Sequence, residues 1–486
     1  MCSAELSPTS ILLLSAVTAG FLIQQFANLD IDKYPFPILG TVFSIQWIIA
    51  LGLQYSGGIY HTFWAAQSIA LLTVTVGLIS LWANTLIYRA FFHPLNRFPG
   101  PYGAKLSKLW VLNKVVQSDL KLYQVADKLQ KTYGDYVRTA VTDYGPSIEE
   151  FTSKLVERLD RTAGGATLVN EFCTHYAYDV MSSLAFGTST RFIEGESNGK
   201  ANIILKTIQK GIVHIAFLAH LPWALSMAET LWFLGGPLKS LREWSGDQVE
   251  ARRHFESPRP DIIGHLLANT KDDKKGRILL HAEGRLIVGA GSDTTGSALA
   301  VLLTFMAYFH DYQEKLHDEV EKTFADKTYV CTQPQTLLDS IINEALRLCP
   351  PILFNSQRMA PKGGLRIGDI EIPEGTVCLL GPFTPHHDER NFLQANEFIP
   401  ERWTSRPELI INKIAFIPFS MGPYMCPGKA VAMMEMRSVI AHLVQRYRID
   451  FPKGANFDIQ KYYSDIVDHF TAGIPDQELV FTPRNV

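Results

Sequence analysis

The stretch that decides the fold is Phe419-Ser420-Met421-Gly422-Pro423-Tyr424-Met425-Cys426-Pro427-Gly428-Lys429, which runs into an apolar segment from Ala430 toward Val444. That pattern predicts a cysteine seated at the start of a helix. Free backbone N–H groups at a helix start favour negative charge. Pro427 has no N–H, so the donors expected to point at the sulfur are those of Gly428 and Lys429. Gly422 and Gly428 allow the backbone to approach a flat partner closely. Phe419 is placed to cover the sulfur and exclude water. A thiolate held this way is a soft metal ligand. The other cysteines, Cys2, Cys173, Cys331, Cys349 and Cys378, are scattered and form no C-x-x-C pair. In a chain of 486 residues they read as reduced thiols, not as a disulfide scaffold.

Two further segments lie upstream. Ala290-Gly291-Ser292-Asp293-Thr294-Thr295 falls inside a proline-free run, Leu286 to Phe309, whose only charge is Asp293. Length alone would allow a membrane span, but an Asp-Thr-Thr cluster beside glycines makes that costly. Glu344 and Arg347 stand three apart within Leu337 to Leu348, on one helical face, before Pro350-Pro351 ends the helix. Phe398-Ile399-Pro400-Glu401-Arg402-Trp403 supplies another arginine.

The ordered set F-x-x-G-x-x-x-C-x-G, A-G-x-D-T-T and E-x-x-R resembles the cytochrome P-450 family over roughly residues 88 to 486. The resemblance implies a mainly α fold with small β-sheets (α+β). It implies haem b with Cys426 as axial ligand, a thiolate that favours O–O cleavage. Phe419, Gly422, Tyr424, Gly428 and Arg358 would form the cofactor's surroundings, Arg358 at a position that commonly binds a haem propionate. Tyr424 departs from the family, which usually has Arg or His there; a phenol donates one hydrogen bond but brings no charge. Asp293 and Thr294 match the acid and alcohol that deliver protons during O2 activation, with Gly289 or Gly291 making room for O2 by loosening the helix. Glu344, Arg347 and Arg402 match a structural ion network under the cysteine loop. Val288, Ala290, Leu353, Phe354 and the segment Thr471 to Ile474 are the expected substrate-pocket residues.

The N-terminus reads as a membrane anchor. From Tyr34 to Tyr88 there is no Asp, Glu, Lys or Arg. Apolar runs cover Ile11 to Phe26, Ile38 to Leu53 and Trp64 to Ile87; the last clears the ~17–25 residues a span requires and the first two are marginal. Arg89, Arg97, Lys105 and Lys108 follow, and residues 1–10 hold no Lys or Arg, so the C-terminal part is expected in the cytosol. The expected organisation is an anchor over 1–88 with up to three spans, a proline-rich hinge over 89–101 (Phe98-Pro99-Gly100-Pro101 resembles fungal members) and a catalytic domain over 102–486. Net charge is −3 and basic clusters are absent, which argues against nucleic acid as a partner. Helical patterns dominate 115–133, 147–185, 280–325 and 336–348, and short strands are expected in 365–380.

One part of the family's pattern has no match. Lys131 to Thr139 resembles an early strand and Ala140 to Phe151 a much later helix, with no pocket roof and no W-x-x-x-R helix between them. An exon lost at Thr139–Ala140 is the favoured account; a shortened variant is the other. The leading function is a monooxygenase of the endoplasmic reticulum membrane. It would take electrons from NADPH through a separate cytochrome P-450 reductase and insert one atom of O2 into a hydrophobic fungal secondary metabolite. The alternatives are a reductase-independent haem-thiolate isomerase or dehydratase, and an inactive truncated haem or binding protein.

Overall fold

The computed structural model describes residues 7–26, 35–55, 62–88, 91, 144–162, 164–195, 236–255, 257, 261–325, 331–354, 356–422 and 425–484. The expected hinge (Phe91 apart), the Thr139–Ala140 junction, the helical pattern at 115–133 and Tyr424 lie outside these residues.

Two compact units divide the chain. The first contains helices α1 (Pro8–Phe26), α2 (Pro35–Tyr55) and α3 (Phe63–Ile87), together with residues 359–376. Within α2 and α3, Ile38–Tyr55 and Phe63–Ile87 are long and apolar enough to cross a membrane, whereas the apolar part of α1, Thr9–Leu22, is shorter. Small residues bring α1 against α3: a Cβ on Gly20 would stand 2.4 Å from the carbonyl oxygen of Gly77. Ser80 Oγ donates to the Val17 carbonyl at 2.8 Å, and Asn84 Nδ2 to that of Phe21 at 3.1 Å. Such close backbone approach and side-chain-to-backbone bonding hold helices together where lipid offers no hydrophobic drive. Both sets of partners advance together along the chain, so α1 and α3 run parallel.

The second unit holds the expected chemistry. Its helices are α4 (Gly145–Arg161), α5 (Val169–Phe186), α6 (Gly236–Arg253), α7 (Ile262–Asn269), α8 (Lys274–Tyr308), α9 (His310–Ala325), α10 (Thr336–Leu348), α11 (Phe383–His386), α12 (Lys429–Arg446) and α13 (Ile459–Asp465). Its sheets are small. Strand β1 (Ala166–Leu168) pairs with β9 (Glu478–Pro483), which also pairs with β6 (Tyr447–Asp450), all antiparallel. Strand β2 (Ser356–Met359) pairs with β5 (Val377–Leu380), and β7 (Val467–Asp468) with β8 (Ala472–Gly473). In the first unit, β3 (Leu365–Ile367) and β4 (Ile370–Ile372) form the hairpin expected around Gly368-Asp369. The single helical pattern read over 147–185 is interrupted at Gly164-Gly165, where the chain adds β1 to the sheet. The mainly α architecture with small sheets agrees with the sequence reading.

Helix α8 is capped by Asp273, whose side chain accepts from Gly276 N at 2.8 Å. Its composition would let it span a membrane, yet from Ala298 to Ala307 it is almost wholly buried in the core among α5, α10 and α12. It is the central core helix of this unit. Gly291 and Gly296 lie on its α5 side: a Cβ at Gly291 would meet Met181 Sδ at 2.6 Å, and one at Gly296 would stand 3.2 Å from Thr174 Cα. Gly289 faces open space. The helix stays regular through both Gly289 and Gly291, which corrects the expectation of local loosening. Met181 takes up the room at Gly291.

The α1–α3 packing gives the first test. A chain carrying Val17→Cys and Ser80→Cys should crosslink in membranes, and adding Gly20→Leu should abolish the crosslink by forcing the backbones apart. A crosslink unaffected by Gly20→Leu contradicts the packing.

Candidate functional site

Helix α10 places Glu344 and Arg347 on its buried face, and α12 follows the cysteine loop. Between them the chain from Phe383 to Phe416 wraps the ion network. Glu344, Arg347 and Arg402 each have 0% exposure. Arg347 reaches both Glu344 oxygens, with Nη2–Oε1 2.8 Å and Nε–Oε2 3.0 Å, and Arg402 Nε reaches Oε1 at 2.8 Å. The carboxylate also accepts from Ile399 N at 3.0 Å and from Trp403 Nε1 at 2.9 Å. Remaining guanidinium N–H groups donate to backbone carbonyls. Arg347 serves His386, Ala395 and Glu397; Arg402 serves Leu393 and Gln394. Glu344 and Arg347 read as a surface pair when taken alone, and the structure buries them.

Cys426 is half-buried at the end of its loop. Its N–H donates to the Phe419 carbonyl at 2.9 Å, and Met425 N to that of Gly422 at 3.1 Å. Gly422 takes φ 85°, in the region that favours glycine. Burial pushes the thiol above its ordinary pKa, while the nearby backbone N–H groups of Gly428 and Lys429 and the Lys429 charge pull it down. The Lys429 N–H itself donates to the Cys426 carbonyl at 3.4 Å. The remaining cost of a thiolate is what a bound cationic metal offsets.

A cavity of about 790 Å³ opens beside the sulfur. Its walls include Ala290, Gly291, Thr294 and Thr295 from α8, Phe419, Cys426 and Gly428 from the loop, and Arg358. This set of groups suits a flat, anionic, iron-bearing macrocycle: a soft sulfur at a helix start, the Arg358 cation, and apolar walls such as Leu184, Ile287 and Val431. Arg358 Nη2 also donates to Ser420 Oγ at 3.3 Å.

Several expected residues are placed differently. Thr294 lines the cavity, with its hydroxyl donating to the Ala290 carbonyl at 2.7 Å. Asp293 is not among the lining residues; its Oδ1 accepts from Tyr178 Oη at 3.1 Å, on α5. Burial pushes its carboxyl up to about 7, against the lowering hydrogen bond from Tyr178. Of the expected pocket residues, Ala290 lines the cavity and three do not. Val288 is buried in a cluster with Tyr178, Val249 and Leu280, because it sits on the opposite side of α8. Leu353 is in the main core and Phe354 packs on it, where a Cβ on Gly381 would touch them. Phe470, not Thr471 to Ile474, reaches the cavity from the C-terminal segment.

Sequence reading missed four groups: Trp403, Tyr178, His386 and Glu435. Trp403 directly follows Arg402, the one signal for it in the sequence. The others carry no local signal. Glu435 has 0% exposure, lines the cavity, and neither carboxyl oxygen has a hydrogen-bond partner among the described residues. Burial raises its pKa well above the ordinary value.

A protein-family model described as Cytochrome P450 matches residues 137–466, a later start than the expected 88. A cytochrome P450 monooxygenase, nodW, of Hypoxylon pulicicidum is 30% identical over 467 residues, 83% of this chain and 86% of that protein. Another, notG′ of Aspergillus versicolor, is 28% identical over 560 aligned positions, 98% of this chain and 99% of its own. Tryprostatin B 6-hydroxylase of Aspergillus fumigatus is 26% identical over 498 residues, 86% of each chain. Among solved structures, the haem domain of cytochrome P450DA superposes with TM-score 0.57 at 19% identity, over 70% of this chain and 73% of that one.

Two outcomes follow. Glu344→Gln should cost about 3–5 kcal/mol, because it leaves two buried guanidiniums without their counter-charge; retained wild-type unfolding in urea contradicts the network's role. For Asp293 the folded-state pKa lies above the unfolded value. Its stability contribution is therefore full below about pH 4 and is lost as pH rises toward about 7. Asp293→Asn should remove that slope from the stability profile of detergent-solubilised protein. A slope that persists in the variant rules out Asp293 as its source.

Proposed function

The chain belongs to the cytochrome P450 family and is a monooxygenase of that family; on that premise we propose that Cys426 is the axial ligand of haem b. We also propose that the enzyme inserts one atom of O2 into a hydrophobic small molecule of fungal secondary metabolism. The observation that carries this reading is that Cys426 lines an apolar cavity at the start of α12, where the Gly428 and Lys429 N–H groups favour the charged form of its sulfur.

Haem, when bound, supplies the iron at which O2 is activated. The protein's own residues do the rest. Gly428 and Lys429 hold charge on the sulfur, and Phe419 shields it. Arg358 offers its cation to a propionate. Thr294 presents a hydroxyl to the cavity, and Asp293 behind it keeps a proton available near neutral pH. The apolar walls expel water and select a hydrophobic substrate. Electrons come from NADPH through a separate membrane-bound reductase. The N-terminal helices anchor the chain in the endoplasmic reticulum, with the catalytic domain in the cytosol. The metabolite class is supported by the fungal origin of the relatives and by the tryprostatin B hydroxylase among them.

A second reading, a chain shortened at Thr139–Ala140, has its own support. The 560 positions aligned with the Aspergillus versicolor relative exceed the 486 residues of this chain, so that relative carries residues with no counterpart here. The family model begins at Val137, beside the junction. Glu435 is a buried carboxyl with no donor among the described residues, which costs several kcal/mol unless another partner or a proton satisfies it. On this reading the working enzyme carries a further segment after Thr139.

Microsomes holding the chain, a flavoprotein reductase and NADPH should place one labelled atom from ¹⁸O₂ in the product of a screened hydrophobic substrate. Thr294→Ala should lower that rate by about 10²-fold. Turnover independent of NADPH contradicts monooxygenation. A transcript that runs uninterrupted across the junction, giving protein with full haem content, contradicts the shortened-chain reading.

A further inference from the structure

His386 closes α11 and has 0% exposure. Its ring is held at both nitrogens. Nε2 lies 2.8 Å from the backbone N of Ile417, and Nδ1 lies 3.1 Å from the carbonyl oxygen of Arg347. A backbone N–H only donates, so Nε2 is the unprotonated nitrogen. A carbonyl only accepts, so Nδ1 carries the proton. The two partners fix a single neutral tautomer. Phe416 stacks on the ring at 5.4 Å and Phe392 meets it edge-on at 6.4 Å. Burial, then the charges of His387 and Arg347, push its pKa well below the ordinary value, which keeps the ring neutral.

What the two partners belong to gives the ring its meaning. Arg347 is the guanidinium that grips Glu344, and its Nη1 also donates to the His386 carbonyl at 2.8 Å. Ile417 starts the turn that carries the cysteine. Its carbonyl accepts from Ser420 N at 3.0 Å, and Phe419, two residues on, accepts from Cys426 N at 2.9 Å. Hydrogen bonds therefore run from the Glu344 carboxylate through Arg347 and His386 to Ile417. A short turn connects Ile417 to the Cys426 backbone. Arg358 ties the same loop through Ser420, but from outside the ion network.

We propose that His386 is a positioning residue for the Cys426 sulfur, carrying the rigidity of the Glu344–Arg347–Arg402 network into the cysteine loop so that the sulfur stays bound to haem iron as thiolate. The proposal rests on the reading of Cys426 as axial ligand. Nothing in it requires His386 to change protonation; the ring acts as a fixed two-ended brace. Leucine would fill the volume and leave both the Ile417 N–H and the Arg347 carbonyl unbonded. Glutamine offers an amide oxygen that can accept from Ile417 again.

The test uses the full-length chain in membranes as wild type, His386→Leu, His386→Gln and Cys426→Ala. The readouts are the share of haem with a thiolate-type Soret band in the reduced carbon-monoxide complex, the haem reduction potential, and helical melting followed by circular dichroism. His386→Leu should lower the thiolate-type share several-fold in protein that still melts cooperatively, and should shift the potential. His386→Gln should recover most of that share, but on warming should lose it before the helical signal; in wild type the two should be lost together. If His386→Leu keeps the wild-type share and potential, the proposal is wrong. It is also wrong if the thiolate band and helical signal fall together in every variant, as an ordinary core residue would give. Should His386→Leu fail to accumulate, the melting order in His386→Gln decides by the same criterion. A wild-type chain without the thiolate band, or Cys426→Ala retaining it, overturns the ligand reading itself.

Discussion

Glu344 is a fully buried carboxylate between two fully buried guanidiniums, and one positive charge is left over. Such a group is stable only if every remaining N–H finds an acceptor, since an unpaired buried charge is far more costly than an unpaired neutral group. The acceptors include carbonyls of His386, Leu393, Gln394, Ala395, Glu397 and Leu409. The irregular chain between α11 and the cysteine loop is therefore not free to take another path. It is wound about two arginines by the need to satisfy them. Helix α10 supplies one arginine and the carboxylate, the Pro400–Trp403 turn supplies the other, and Trp403 adds a donor from its indole. The cysteine loop begins immediately downstream.

The central helix α8 imposes a second constraint on the opposite wall. Its α5-facing side is built from residues too small to keep the helices apart, and Met181 fills the space left at Gly291. Close packing there turns Asp293 toward Tyr178 and leaves Thr294 on the cavity. Adjacent positions on one helix cannot face the same way. The acid and the alcohol are therefore neighbours in sequence with different surroundings: one is half-buried against Tyr178 and raised in pKa, the other faces the cavity. Proton delivery into the cavity from Asp293 requires a relay or a side-chain movement, with the Tyr178 hydroxyl as the bond that must yield.

Much of this was legible in residue order. Cys426 followed by Pro427 predicted Gly428 and Lys429 as the N–H groups favouring a thiolate because proline lacks an N–H, and those two groups pull the thiol's pKa down. The E-x-x-R spacing placed Glu344 and Arg347 on one face. Periodicity could not say that the face was buried; only the family resemblance implied it. The pocket residues were less readable. Val288 and Ala290 are two apart in the Leu286–Phe309 run, whose only charge is Asp293, so composition gave no sign of which side met the cavity. Leu353 and Phe354 follow a double proline, where no helical or strand period fixes direction. His386 and Tyr178 were invisible for a different reason. Their roles depend on partners 31 and 115 residues away, Ile417 and Asp293, and nothing in their immediate sequence marks those meetings.

The central claim is that this buried network presents Cys426 as a thiolate to haem iron. The most direct measurement is the reduced carbon-monoxide difference spectrum of the membrane-expressed chain beside Cys426→Ala. The account predicts a thiolate-type Soret shift in the wild type that disappears in the variant. A folded wild-type chain without that shift, or the same shift in Cys426→Ala, would contradict it.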